Sequence, residues 1–118
     1  MTDPPRLFEA LAADDSVVAE IYEAHLENNH GLLSHILMGE LLSELEDSHR
    51  GVAGADLDVT AFLRSLERHY RPEIPDERGV VVTSFLLDLP WPGQPGYDIV
   101  DRLGERLRAE FDRVRPHG

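Results

Sequence analysis

Apolar positions along this chain mostly recur every three to four residues, the spacing of one face of a helix. Residues 6–13 (RLFEALAA) form a short helical candidate behind Pro4 and Pro5, residues suited to a helix start. Asp14, Asp15 and Ser16 then supply an N-cap and early negative charge to a second helix over residues 17–28. The Asn29-His30-Gly31 triplet stops it. A third helix is expected over residues 32–48, with Leu33, Leu37, Met38, Leu41, Leu42 and Leu45 on its apolar face, followed by a glycine-containing loop over 49–56. Asp58 caps a fourth over 59–70, where Val59, Phe62, Leu63, Leu66 and Tyr70 share a stripe that Pro72 and Pro75 bring to an end.

Residues 79–89 (GVVVTSFLLDL) read two ways. The β-branched run argues for a strand, but Val81, Val82, Phe85, Leu86 and Leu89 also fall on one helical face, and the buried helix is favoured. Residues 90–96 (PWPGQPG) form a loop. A last helix is expected over 97–114, with Ile99, Val100, Leu103, Leu107, Phe111 and Val114 inward and the pairs Asp98–Arg102 and Arg108–Asp112 one turn apart. The pattern predicts an all-α fold: one domain over residues 1–118, a compact bundle of five or six short helices.

Composition agrees with a globular chain, at 42% hydrophobic and 29% charged residues. No run approaches the ~20 apolar residues of a membrane span, and the amino terminus does not read as a secretory signal. Neither membrane association nor a leader is therefore expected, and a cytoplasmic location follows. Cysteine is absent, excluding disulfides, thiolate metal sites and cysteine nucleophiles. Lysine is absent too, excluding a Walker A loop and Schiff-base chemistry. With abundant Arg, Ala, Val, Gly and Pro, that absence fits a high-GC bacterial gene.

Charge changes the picture most. Residues 1–59 hold thirteen acidic residues against two arginines, a net −11. Residues 60–118 hold ten acids against nine arginines. Such an acidic half repels nucleic acid and anionic membrane and attracts a basic protein surface.

Around Gly31, His35, Met38-Gly39-Glu40 and Leu41 the chain resembles a small bacterial all-helical domain family of unknown function, which also has a later segment like Ser84-Phe85-Leu86-Leu87-Asp88-Leu89. The resemblance runs over roughly residues 16–114. It implies a helix across residues 80–89 and marks Gly39 and His35 as family features, but it implies no catalytic residues.

Three constellations could carry function. Glu20, Glu23 and Glu27 fall on one side of the second helix, either an ordinary solvated face or half of a binding surface. On the third helix Leu32, Ile36, Glu40, Glu44 and Asp47 follow one another at near-helical spacing. A stripe that begins apolar and turns acidic suits a basic, partly hydrophobic partner, unless the first helix buries Leu32 and Ile36. His25, His30 and His35, with Glu40 and Glu44, invite a metal, but their five-residue spacings do not share a helix face as an H-E-x-x-H pair does. His25 is expected to be semi-buried and hydrogen-bonded, His69 and His117 solvent-facing, and His49 in a loop.

No nucleophile elbow, phosphate loop or zinc-protease motif is present, so no catalytic residue, metal ligand or cofactor is assigned. Arg102, Arg106, Arg108, Arg113 and Arg115 alternate with acids and read as a salt-bridged solvent face. Trp91 is expected to lie as a lid over the bundle end, with a partner anchor as the alternative. The function expected is a non-enzymatic, acidic protein-binding module, in concrete form an immunity or inhibitor protein that masks a basic toxin. The alternatives are a metal-binding domain or metal-dependent hydrolase using His30, His35, Glu40 and Glu44, and a homodimer joined through Leu32, Ile36 and Trp91.

Overall fold

The computed structural model describes residues 5–118. Its elements are α1 (Pro5–Asp14), α2 (Ser16–Asn29), α3 (Ser34–Arg50), α4 (Val59–His69), α5 (Pro75–Val81) and α6 (Glu105–Val114). A π-helical turn, Val82–Leu86, continues α5, and a 3-10 segment, Tyr97–Arg102, precedes α6. No strand occurs among the described residues, so the fold is all-α, as the periodicity predicts. Pro5 opens α1; Pro4 lies outside the described residues.

One apolar cluster joins the elements. Leu7, Phe8 and Leu11 of α1 meet Val18 of α2, the inner face of α3, and Phe62, Leu63 and Leu66 of α4. Val81, Phe85 and Leu86 carry this core toward Leu107 and Phe111 of α6. The molecule is flattened, 38 × 37 × 21 Å across, so its helix layers present two broad faces.

The predicted caps appear where expected. Asp15 accepts from the N–H groups of Val17 (2.8 Å) and Val18 (3.4 Å), and Asp58 accepts from Ala61 (3.0 Å). At the end of α2 the left-handed residue is His30, at φ 56°, rather than the glycine beside it.

Three boundaries move for identifiable reasons. The third helix starts at Ser34, because the Leu33 N–H is held by the His25 ring and Leu33 adopts extended backbone. Residues 80–86 are helical, as favoured, with 87–89 in a turn, and the helix begins at Pro75: a proline expected only to terminate α4 also starts α5. The Leu87 N–H reaches the Val82 carbonyl at 2.9 Å, the bond of a π turn.

The expected helix over 97–114 is broken at Leu103 and Gly104. A Cβ on Gly104 would lie 2.5 Å from the Glu67 side chain. Glu67 fills that space and caps α6 from another helix, accepting from Arg106 N–H (2.9 Å) and Leu107 N–H (3.0 Å).

Candidate functional site

Helices α2 and α3 form an antiparallel hairpin pinned by one buried histidine. The His25 Nε2 accepts the Leu33 N–H at 3.0 Å, which leaves Nδ1 to donate to Glu40 Oε1, also at 3.0 Å. Asn29 closes the turn by donating its side-chain N–H to the His25 carbonyl at 2.9 Å. His25 is thus the buried, hydrogen-bonded histidine that its place on the apolar face predicts. On the other flank of α3, His35 Nδ1 and Ser84 Oγ lie 2.6 Å apart, tying the helix to the π turn.

The residues of the predicted stripe separate. Leu32 is half-buried against the core and lies outside the helix, so it does not begin the stripe. Leu33, expected inward, is exposed, because its N–H is spent on His25 before the helix starts. Ile36 is 53% exposed; α1 does not cover it. Glu40 points partly to solvent while holding His25. Glu44 accepts from the Asp56 N–H at 3.3 Å, and Asp47 pairs with Arg50 at 2.6 Å.

Glu20 and Glu44 come together, lining a groove of about 260 Å³ with Asp56 at its edge. Glu23 and Glu27 are exposed on the outer side of α2 and touch none of these groups. The outward strip of α3 runs Ile36, Gly39, Glu40, Ser43, Asp47 at helical spacing. Gly39 is its least expected member. A Cβ there would meet nothing within 4 Å, so neither backbone conformation nor internal packing requires glycine.

The carboxy-terminal half uses its charges differently. Glu77, 2% exposed, takes a bidentate grip from Arg6 at 2.8 and 2.5 Å, and the same guanidinium reaches the His69 carbonyl. Glu110 accepts from Tyr70 (2.5 Å), Arg78 (2.8 Å) and Arg113 (3.1 Å). Burial, reinforced by Glu110, pushes the Tyr70 phenol well above the ordinary tyrosine range. Asp14, at the end of α1, accepts from Ser65, Arg68 and His69, and these bonds hold its carboxyl at about 2.

Two histidine placements need correction. His69 is half-buried on Asp14, and His49 sits in the last turn of α3, bonded to Asp98 at 2.8 Å. Asp98 therefore pairs with His49 rather than with Arg102, and that bond lowers its carboxyl pKa. The Arg108–Asp112 pair forms as predicted, at 3.1 Å.

Arg115, read as part of a solvent face, is 3% exposed. Its guanidinium donates to the carbonyls of Leu86 (3.1 Å), Leu89 (2.7 Å) and Pro90 (2.9 Å), and lies 3.8 Å from the centre of the Trp91 ring. A free helix end supplies orphan carbonyls, and Arg115 collects them from a distant element. The alternation of arginines and acids before it gives no hint of this; the cue lies in residues 86–90, whose carbonyls have no continuing helix. Burial lowers the Arg115 pKa.

Among the described residues no group of three or more His, Asp or Glu side chains is placed to hold a metal ion. No described helix is long and apolar enough to cross a membrane. No family model matches the chain, and neither a curated protein nor a solved structure is found to be similar to it.

Proposed function

We propose that this chain is a non-enzymatic, acidic protein-binding module that docks on a basic partner, in the concrete form of an immunity or inhibitor protein masking a basic toxin such as a nuclease. The observation that carries the reading is the outward strip of α3. An exposed isoleucine and an unexplained mid-helix glycine stand there beside Glu40 and Asp47, next to an α2 whose Glu20, Glu23 and Glu27 form no ion pair among the described residues. A glycine inside a helix costs about 1 kcal/mol relative to alanine. A partner backbone approaching closely at Gly39 gives that cost a use, with Ile36 as apolar anchor and the carboxylates as rim. With a net charge of −12, a second copy of this chain is repelled and a basic surface is attracted.

Glu40 and Glu44 hold His25 and the Asp56 N–H, so reversing them would mix folding with binding. The cleaner set is wild type, Ile36→Asp and Gly39→Ala, used to capture proteins from the source lysate at low ionic strength. One basic protein should be retained by wild type, released as salt rises, and lost with Ile36→Asp. Gly39→Ala should stabilise the free chain by about 0.5–1 kcal/mol yet weaken capture. Retention of no basic protein, or equal retention by Ile36→Asp, would overturn the reading.

A further inference from the structure

The sequence favours Trp91 as a lid, and the structure shows one side of it acting so. Its ring lies against the buried Arg115 guanidinium, yet half of the residue remains exposed. The backbone that carries it is also closed into a turn: the Trp91 backbone N–H donates to Gln94 Oε1 at 2.8 Å, and the Gln94 backbone N–H returns to the Trp91 carbonyl at 2.9 Å. A rigid, half-exposed tryptophan is the kind of residue that anchors an interface at small entropic cost.

Trp91 stands in a groove of about 380 Å³ between the end of α3 and the loop after the π turn. Leu87, 37% exposed, supplies a second apolar contact in it. The polar wall carries Glu46, Asp88 and Arg50. The Arg50 guanidinium is engaged by Asp47 at 2.6 Å, whereas Glu46 and Asp88 make no ion pair among the described residues. The groove thus offers an aromatic surface, an aliphatic contact and two carboxylates outside any ion pair, beside an Arg50 already engaged by Asp47.

We propose that this groove receives an arginine side chain of the basic partner, its guanidinium against the Trp91 indole and between Glu46 and Asp88, its aliphatic stem over Leu87. The proposal rests on the partner-binding reading above and names where the partner's charge enters. Arginine fits better than lysine because a planar guanidinium both stacks on an indole and bridges carboxylates. The groove's own architecture sets the precedent, with Arg115 already stacked on the ring. Partial burial and the neighbouring Asp47 and Asp88 charges raise the Glu46 carboxyl pKa against the pull of Arg50, as expected where one more cation would be welcome.

Trp91 is the chain's single tryptophan, so its indole N–H gives one unambiguous NMR signal from the groove. The probe is a capped Leu-Arg-Leu peptide, titrated to millimolar concentration into isotope-labelled full-length protein, with the citrulline analogue as control. Citrulline keeps the shape of arginine and removes its charge. The expected result is a saturating indole shift with the arginine peptide, weakened about tenfold or more by citrulline or by the Glu46→Gln/Asp88→Asn double variant.

Equal shifts with both peptides would overturn the arginine assignment and leave an apolar groove. A still indole with movement confined to the amides of α2 and the α3 strip would overturn the groove but not the acidic docking face. Movement nowhere in the protein would count against both. An indole shift that depends on protein concentration without peptide would assign the groove to a second copy and overturn the proposal.

Discussion

Residues 1–59 and 60–118 contain thirteen and ten acidic residues, yet the two sets do different work. In the α4–α6 half Glu67, Glu77 and Glu110 face inward or across elements, and each is met by arginine or backbone N–H groups. They join α1 to α5, α4 to α6, and α5 to α6. On α2, Glu20, Glu23 and Glu27 join nothing among the described residues and project a field into solvent. Carboxylates thus serve as internal cross-links at Glu67, Glu77 and Glu110 and as surface charge at Glu20, Glu23 and Glu27. Unneutralised like charge destabilises a compact state through self-repulsion. The acidic half therefore carries a cost that the fold does not recover, which is the argument for a partner.

The comparison breaks most sharply where a cross-link is cut. Glu77→Ala should cost about 2–3 kcal/mol in urea unfolding, because it removes the buried carboxylate that Arg6 grips and leaves the half-exposed guanidinium only the His69 carbonyl. Arg115→Met should cost about 2–3 kcal/mol by leaving the Leu89 and Pro90 carbonyls unpaired while keeping the apolar stem. It should also alter Trp91 fluorescence in the folded protein, since the indole loses the cation on its face. An Arg115→Met variant as stable as wild type would show that water satisfies those carbonyls.

Asp14 lies at the seam, an acid of the amino-terminal half used in the manner of the other. Its bonds to Ser65, Arg68 and His69 lower its carboxyl from 3.8 to about 2. The stabilising contribution is complete above the ordinary carboxylate value and is lost as pH falls from about 4 toward 2. Asp14→Asn should accordingly lower stability at neutral pH and flatten the decline between those pH values. The check is urea midpoints measured down the acid limb. An unchanged acid limb would mean that the carboxylate is screened by solvent.

How much of this was legible depends on whether the cause is local. The α2 and α4 caps, the apolar face of α3 from Leu37 to Leu45 and the helical reading of residues 80–89 follow from spacing within one segment, and they appear as predicted, the last as far as Leu86. The misplaced features all have causes in distant sequence. Leu32 and Leu33 leave α3 because His25 claims a backbone N–H. Residues 97–114 split because Glu67 caps the second piece. Arg115 is buried because the carbonyls where the π turn ends and just beyond it need donors. Of the candidate site, the acidity of α2 was readable; the exposure of Ile36, which the sequence leaves open, and the employment of Glu40 and Glu44 inside the fold were not.

The smallest effect gives the most direct test of the contrast. Glu20→Gln/Glu23→Gln/Glu27→Gln removes three charges spaced three and four residues apart on one helix, where like charges repel by a few tenths of a kcal/mol per pair. Glu27 also lies in the last turn, next to the negative end of the helix dipole. The triple variant should therefore be slightly more stable than wild type, by up to about 0.5 kcal/mol at low salt, with the gain fading as salt screens the charges. Thermal melts at two ionic strengths decide it. Carboxylates whose removal stabilises the free chain are not there for the fold, and the same variant should lose affinity for whatever basic surface this half meets. If the triple variant instead unfolds more easily, these glutamates take part in structure as Glu77 does, and the division between the two halves collapses.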